Sequence, residues 1–185
     1  MHALVLLAII TRYDVLISAG HEGRPASCAR FPQHHCNLGA AGEREWTPIV
    51  ADAATKILRE QGVRVARLPA DFAGTYRVKM AVFIHFDGAN PPCSSRASVG
   101  YPNDRASAEA AKAWRRLYGQ YWPFGFQPDN FTHGLREYYA YRQVEGPRLV
   151  LELGEITCPA QRAWLAPRLR WEGELLARFL TELID

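Results

Sequence analysis

The chain has 185 residues, the length of one ordinary domain, which excludes two independent catalytic domains. Hydrophobic residues make up 48% and charged residues 22%, so the chain should fold around a buried core, and a largely disordered or fibrous protein is excluded. The 22 Lys and Arg residues exceed the 19 Asp and Glu residues by only +3 and are scattered, whereas a nucleic-acid binder usually carries a basic stripe. We therefore expect no nucleic-acid partner.

The chain opens with an apolar run over residues 3–10. The run is too short for a transmembrane helix, which needs about 20 residues, so we expect no integral membrane segment. It also lacks the basic start and the small-x-small cleavage site of a signal peptide. We interpret residues 1–12 as an apolar N-terminal segment, either an extra strand or short helix or a degenerate signal, and residues 13–185 as the domain.

The predicted elements follow in chain order. Short apolar runs bounded by turn residues predict strands over 14–18, 63–67, 80–85 and 148–153. Helical periodicity predicts one helix from an N-cap at Thr47 to Gly62, another over 105–121, and a third from Pro159 to 183 that is interrupted at Pro167. Because strands alternate with helices, the sequence predicts a single α/β domain with a mostly parallel central sheet and helices on both faces, a three-layer αβα arrangement.

Three ionisable side chains, His21, His85 and Glu152, fall at or beside the ends of predicted strands, where ligands bind in open α/β sheets. Glu152 interrupts an apolar run, so its carboxylate should face a partner or have a raised pKa. Two histidines and one carboxylate form a typical catalytic zinc set, and a second carboxylate can act as base. Each residue also has a structural explanation: a histidine can cap a strand, and a glutamate can start a helix or pair with a cation.

Four segments, in this order, resemble the motifs of the zinc-dependent N-acetylmuramoyl-L-alanine amidases, the amidase_3 type of peptidoglycan hydrolase. The first segment, Ile17-Ser-Ala-Gly-His-Glu-Gly23, is similar to the strand-end signature I-D-P-G-H-G-G, and the second, Gly42-Glu-Arg-Glu45, resembles the family's second ligand motif. The third, Val82-Phe-Ile-His-Phe-Asp-Gly88, is similar to S-I-H-x-N-A. The fourth, Leu149-Val-Leu-Glu-Leu-Gly154 with Pro159, resembles L-v-E-x-G-F-x-S-N-p.

The resemblance implies that His21, Glu45 and His85 bind zinc and that Glu152 is the catalytic carboxylate. Glu45 is preferred to Glu43 because five and eight residues beyond it lie Val50 and Ala53, where the family has apolar helix positions. The implied reaction is hydrolysis of the amide bond between N-acetylmuramic acid and L-alanine, with peptidoglycan as partner.

The chain departs from the family motifs at five positions, which concern substrate preference more than catalysis: Glu22, Phe83, Asp87, Glu155 and Cys158. The segment 129–136 loosely resembles the family's segment near the cleft. We therefore expect Asp87, His133 and Arg136 to contact substrate.

The four cysteines show neither a C-x-x-C motif nor a zinc-finger spacing. Cys28 and Cys36 lie in one loop and either form a disulfide in an oxidising compartment or remain reduced. We interpret Cys158 as a small buried residue, with a nucleophilic cysteine as the alternative.

The expected protein is a monomer of the cell envelope, secreted or released to the wall by a phage. Two other functions stay open: a zinc hydrolase of another amide or peptide, and a non-catalytic wall-binding module of the same fold.

Overall fold

The computed structural model of the protein describes residues 10–30, 36–132 and 134–184. A central sheet contains five strands in the order β3-β2-β5-β8-β6, all parallel except the antiparallel edge strand β6. A second, parallel sheet has the order β1-β4-β7. In chain order the strands are β1 Ile10–Arg12, β2 Val15–Ala19, β3 Val65–Leu68, β4 Thr75–Arg77, β5 Met80–Asp87, β6 Ser98–Gly100, β7 Val144–Glu145 and β8 Arg148–Glu155.

Among the described residues, four α-helices flank the sheet: α1 Glu43–Glu60, α2 Arg105–Tyr118, α3 Pro159–Leu165 and α4 Leu169–Ile184. The predicted strands and helices are all present, and the predicted fold class, a single α/β domain with a mostly parallel sheet flanked by helices, is confirmed. The predicted N-cap at Thr47 is wrong by five residues, because the N-cap of α1 is Gly42. Gly42, with a left-handed φ of 98°, precedes the first residue of α1, and the Thr47 hydroxyl instead donates to the Gly20 carbonyl at 2.6 Å.

The two faces of the sheet are covered differently. Alternate residues of β2, β5 and β8, such as Ile17, Val82 and Leu151, pack in one core cluster with α1, α2 and α4. Residues of opposite orientation, such as Phe83 and Val150, pack against the segment 135–144, which contains two short 3-10 helices. This second face carries the side chains that the sequence singled out on β5 and β8.

The described part of the N-terminal segment is β1, which pairs with β4. Residues 1–9 lie outside the described residues, so the interpretation of 1–12 as an extra strand or a signal stays a prediction. No helix among the described residues has the length and apolar composition that crossing a bilayer requires.

All four cysteines are in disulfides. The Cys28–Cys36 bridge that the sequence allowed is present, so the alternative of two reduced thiols is excluded. The second bridge, Cys93–Cys158, was not predicted, and it excludes Cys158 as a nucleophile. This bridge ties the segment after β5 to the residue before α3.

Candidate metal centre

His21 stands just beyond the carboxyl end of β2, in a left-handed conformation with φ of 60°. Its approach to β5 depends on Gly20, whose N–H donates to the Ile84 carbonyl at 2.8 Å. A Cβ atom at Gly20 would lie 2.5 Å from Cε1 of His85 and 2.6 Å from the Ile84 carbonyl oxygen. The absence of a side chain at this position therefore lets the two histidines approach each other, with ring centroids 4.9 Å apart.

His85 and Glu152 are register partners on the adjacent parallel strands β5 and β8. Partners on neighbouring strands point to the same face of the sheet, and for both residues this is the face opposite α1. The alternation of side chains along two buried strands thus places an imidazole and a carboxylate side by side, as the strand-end argument predicted.

Glu43, the first residue of α1, joins the two histidines. Its Oε1 lies 2.9 Å from Nδ1 of His85 and 3.3 Å from Nε2 of His21. The same oxygen accepts from the Phe86 N–H at 3.1 Å, and Oε2 accepts from the Ala40 N–H at 2.8 Å. The carboxylate is therefore fixed by the backbone on both sides, and the three residues each present one donor atom within 4.8 Å of the others.

Glu45, which the resemblance implied as a zinc ligand, is not part of this cluster; among the described residues Glu43 takes that position. Its side chain is 59% exposed and pairs with Arg44. Consecutive helical residues are separated by about 100°, so a residue two positions along points to the opposite side of the helix. Because α1 begins at Glu43 rather than near Thr47, Glu43 faces the sheet and Glu45 faces solvent.

The outer nitrogens of both imidazole rings have polar partners. Nδ1 of His21 lies 3.0 Å from the Asn37 carbonyl oxygen, and Nε2 of His85 lies 3.1 Å from the Tyr138 hydroxyl. The sequence predicted neither the contact of Tyr138 with His85 nor that of Asn37 with His21, because it carries no signal for contacts between separate segments.

The charges of the cluster suit a divalent cation. Burial alone would raise the pKa of Glu43, but hydrogen bonds from His21 and His85 outweigh burial and lower that pKa to about 2. Burial lowers the pKa of His85, against the opposing effect of Glu43. The carboxylate is therefore ionised and His85 neutral at neutral pH, and two imidazole nitrogens with one carboxylate oxygen form a donor set that fits zinc.

Glu152 is 6% exposed, and its Oε2 is buried without a hydrogen-bond partner among the described residues. Burial, together with the negative charges of Glu43 and Asp87, raises the pKa of Glu152 well above its usual range. It lines the same open cleft, of about 520 Å³, as the three clustered residues. A buried carboxyl group that lines a cleft and has a strongly raised pKa is a candidate for proton transfer.

The three residues expected to contact substrate differ in position. Asp87 lines the cleft, but its carboxylate accepts from the Gly88 N–H and the Ser95 hydroxyl, which anchors it to its own chain. Arg136 is exposed on the 3-10 helix Leu135–Glu137 and is not among the described residues that line the cleft. His133 lies outside the described residues.

Three departures from the family motifs form one structural unit around the segment 90–97. The carboxylate of Glu155 is buried and accepts from the N–H groups of Cys93 and Ser95 at 2.6 and 2.7 Å. Ser95 in turn donates to Asp87, and Cys158 forms the disulfide with Cys93. The substituted residues thus support each other and hold one wall of the cleft.

No protein-family model and no curated protein sequence matches the chain. Solved structures do match. The N-acetylmuramyl-L-alanine amidase of Mycobacterium smegmatis aligns over 95% of this chain and 98% of its own, with 20% identity and a TM-score of 0.67. The catalytic domain of an N-acetylmuramoyl-L-alanine amidase from Paenibacillus polymyxa aligns over 95% and 99%, with 19% identity and a TM-score of 0.64. The catalytic domain of an endolysin targeting Clostridium difficile aligns over 92% and 97%, with 12% identity and a TM-score of 0.60.

The chain has the amidase fold. The resemblance stated from four short motifs is thereby confirmed at the level of the fold, over nearly the whole chain.

Proposed function

We propose that the chain is a zinc-dependent N-acetylmuramoyl-L-alanine amidase, which hydrolyses the amide bond between N-acetylmuramic acid and L-alanine in peptidoglycan. The observation that carries the proposal is the convergence of His21, Glu43 and His85 in one cleft that the buried carboxyl group of Glu152 also lines. Two proteins that share the fold over nearly their full length are amidases with this specificity by name.

In this proposal Nε2 of His21, Oε1 of Glu43 and Nδ1 of His85 hold the metal. Two imidazole nitrogens and one carboxylate oxygen are donors that would suit a catalytic zinc ion. When bound, zinc supplies a Lewis acid that polarises a carbonyl group and makes water more acidic. Glu43 contributes the single negative charge of the donor set, and its backbone hydrogen bonds keep that charge in place.

Glu152 acts as the general base. Its carboxylate takes a proton from the attacking water and returns it to the nitrogen of the departing amine. The pKa of Glu152, raised by burial and by Glu43 and Asp87, suits a carboxyl group that must hold the proton between these two transfers. A cation held by the cluster lowers that pKa again, because opposite charge favours the ionised form. The cleft therefore contains both a site for the metal and a group that moves the proton.

The proposed partner is peptidoglycan, and the proposed place of action is the cell envelope or the wall reached after release by a phage. The match to an endolysin catalytic domain supports a wall-directed role. Two disulfides are typical of proteins in oxidising compartments, which supports action outside the cytoplasm. We further propose that the protein acts as a monomer, and sedimentation of the purified chain tests this.

Metal analysis combined with product analysis tests the function. The purified chain should contain about one zinc per molecule and release stem peptides that carry a free L-alanine amine from purified peptidoglycan. Glu152→Gln should keep the zinc but slow release by at least about 100-fold, because the amide cannot accept the proton. Glu137→Gln, an exposed residue on the second face, is the control and should behave as the unaltered chain.

The results separate the alternatives. Zinc uptake with release of a different amine would indicate a zinc hydrolase of another amide or peptide. Binding to peptidoglycan with no product from any chemotype would indicate a wall-binding module. Unchanged release by Glu152→Gln would refute Glu152 as base.

A further inference from the structure

The buried carboxylate of Glu155 holds the segment 88–95, whose first residues line the cleft. Its Oε1 accepts from the Cys93 N–H at 2.6 Å, and its Oε2 accepts from the Ser95 N–H at 2.7 Å. Two backbone N–H groups that converge on one carboxylate compensate the cost of burying it. The segment is therefore folded around an acidic side chain at the end of β8.

Gln161 and a disulfide fix the same segment from α3. The carboxamide of Gln161 is buried. Its Nε2 donates to the Ser95 carbonyl at 2.9 Å, and its Oε1 accepts from the Glu155 N–H at 2.8 Å. Cys93 is also bound covalently to Cys158, the residue before α3. The far end of the segment is thus held to both β8 and α3.

Thr157 links Glu155 to the cleft itself. Its hydroxyl oxygen accepts from the Ala89 N–H at 3.0 Å, because an N–H only donates. The single hydroxyl proton is directed to the nearer of two acceptors, Oε1 of Glu155 at 2.6 Å and not the Ala89 carbonyl at 3.3 Å. Thr157 and Ala89 both line the cleft. Glu155, which does not line the cleft, therefore fixes two residues that do.

Asn90 follows Ala89 along the same segment. It lines the cleft that also contains His21, Glu43 and His85, and it is exposed. Its carboxamide has no hydrogen-bond partner among the described residues. A carboxamide offers both N–H donors and a carbonyl acceptor, so it can pair with the C=O and the N–H of another amide. The free group is thus suited to an amide ligand in the cleft.

We propose that Asn90 binds an amide group of the substrate, and that Glu155 is a positioning residue that holds Asn90 at the cleft through Thr157. The inference rests on the proposed function and deepens it, since it names residues that set substrate affinity. Among the described contacts, none of the three side chains touches the His21, Glu43 and His85 cluster. Their effect therefore falls on substrate binding and not on the chemical step.

Kinetics of the zinc-loaded full chain on a soluble N-acetylmuramoyl peptide test the contact. Asn90→Ala should raise KM about 3- to 10-fold, the effect of losing one or two hydrogen bonds, and leave kcat and zinc content near those of the unaltered chain. Asn103→Ala is the matched control, because Asn103 is an exposed asparagine that does not line the cleft. An unchanged KM in Asn90→Ala would overturn the contact.

Thr157→Val tests the positioning role, because it keeps the shape of the side chain and removes the hydroxyl that joins Ala89 to Glu155. It should raise KM in the same direction, and Thr157→Ser, which retains the hydroxyl, should restore it. The decisive variant is Thr157→Val/Asn90→Ala, which should have the KM of Asn90→Ala alone if Thr157 acts through Asn90. A merely structural role gives additive effects, and additivity would overturn the positioning role. Glu155→Gln should also raise KM, because its amide nitrogen cannot accept from an N–H.

Calorimetric binding of the same fragment separates this inference from the proposed function. Asn90→Ala and Thr157→Val should each weaken fragment binding, whether or not the fragment is cleaved. Weakened binding in these variants, with no cleavage by the unaltered zinc-loaded chain, would refute the amidase function and leave the binding site in place. Cleavage by the unaltered chain, with equal fragment binding in all variants, would refute the binding site and leave the function in place.

Discussion

Oε1 of Glu43 lies 2.9 Å from Nδ1 of His85 and 3.3 Å from Nε2 of His21, so a single carboxylate oxygen joins two histidines that are 64 positions apart in the sequence. The N–H of Phe86 donates to the same oxygen, which ties the start of α1 to β5. The helix start and the strand are therefore part of one arrangement, and a change at Glu43 affects both.

The first prediction compares the two glutamates at the start of α1. Glu43→Gln should abolish stoichiometric zinc binding, because it removes the negative charge of the donor set. Glu45→Gln should leave zinc near one per molecule, since Glu45 is exposed and pairs only with Arg44 among the described contacts. Elemental analysis after dialysis measures both. Loss of zinc in Glu45→Gln with retention in Glu43→Gln would reverse the assignment.

The second prediction concerns Gly20. Gly20→Ala places a methyl group within 2.6 Å of the His85 ring and of the Ile84 carbonyl, closer than Cβ contacts allow. The His85 ring must move, so we expect weaker zinc binding and a loss of about 1–3 kcal/mol in the free energy of unfolding, as for other overpacked sites. Chelator competition and urea denaturation measure the two effects. Wild-type values in both would contradict the close approach of the two histidines.

A third prediction uses Glu172, which is fully buried on α4, away from the cleft. Burial raises its pKa to about 8, against smaller opposing effects of Tyr118 and Arg168. The Tyr118 hydroxyl contacts both the Leu153 carbonyl and Glu172. Its one proton can serve only one of them, so a protonated Glu172 that donates to the Tyr118 oxygen satisfies all three groups.

Because the folded-state pKa of Glu172 lies above the unfolded value, its contribution to stability is complete below about pH 4.5 and is lost as the pH rises towards 8. Between pH 5 and 8, the free energy of unfolding should therefore fall by a few kcal/mol less in Glu172→Gln than in the unaltered chain. Urea denaturation at a series of pH values measures the difference. Glu174→Gln, exposed on the same helix, is the control and should keep the pH dependence of the unaltered chain.

The fourth prediction compares the two disulfides. Cysteines 65 positions apart close a much longer loop than cysteines 8 apart. In the chain-entropy model, the double variant Cys93→Ala/Cys158→Ala should lose about 4 kcal/mol in the free energy of unfolding, and Cys28→Ala/Cys36→Ala about 2–3 kcal/mol. Denaturation under non-reducing conditions tests the order. An equal loss, or the reverse order, would show that native contacts and not loop length decide the effect.

The strands, and with them His21, His85 and Glu152, were predictable because short apolar runs bounded by turn residues are local signals. The third member of the cluster was not, because the choice between Glu43 and Glu45 depends on the residue at which α1 begins. That start is set by the left-handed backbone conformation of Gly42 and by the hydrogen bond from the Ala40 N–H to the Glu43 carboxylate. Helix periodicity in the sequence does not report such a three-dimensional arrangement. The glycine immediately before Glu43 was the available signal.

Contacts between distant segments left no sequence signal. The disulfide between Cys93 and Cys158 joins two cysteines for which the sequence indicated no pairing. Tyr138 reaches His85 across 53 positions and Arg24 reaches Tyr139 across 115, through side chains that sequence periodicity assigns only to a core or a surface. Such partners follow from the packing of the second face and become visible only in three dimensions.

Strand β5 has hydrogen-bonded neighbours on both sides, β2 and β8, and β8 is in turn protected by β6. Amide protons in such central strands exchange with solvent only in the rarest openings, whereas connections and helix starts open more often. His85 and Glu152 therefore belong to the slowest-exchanging part of the backbone, while His21 and Glu43 belong to faster-opening connections at its edge. An ion held by His21, Glu43 and His85 would connect the slowly exchanging strand β5 to the faster-opening connections. Removal of the ion should therefore raise amide exchange first at residues 37–43, long before exchange rises in the sheet.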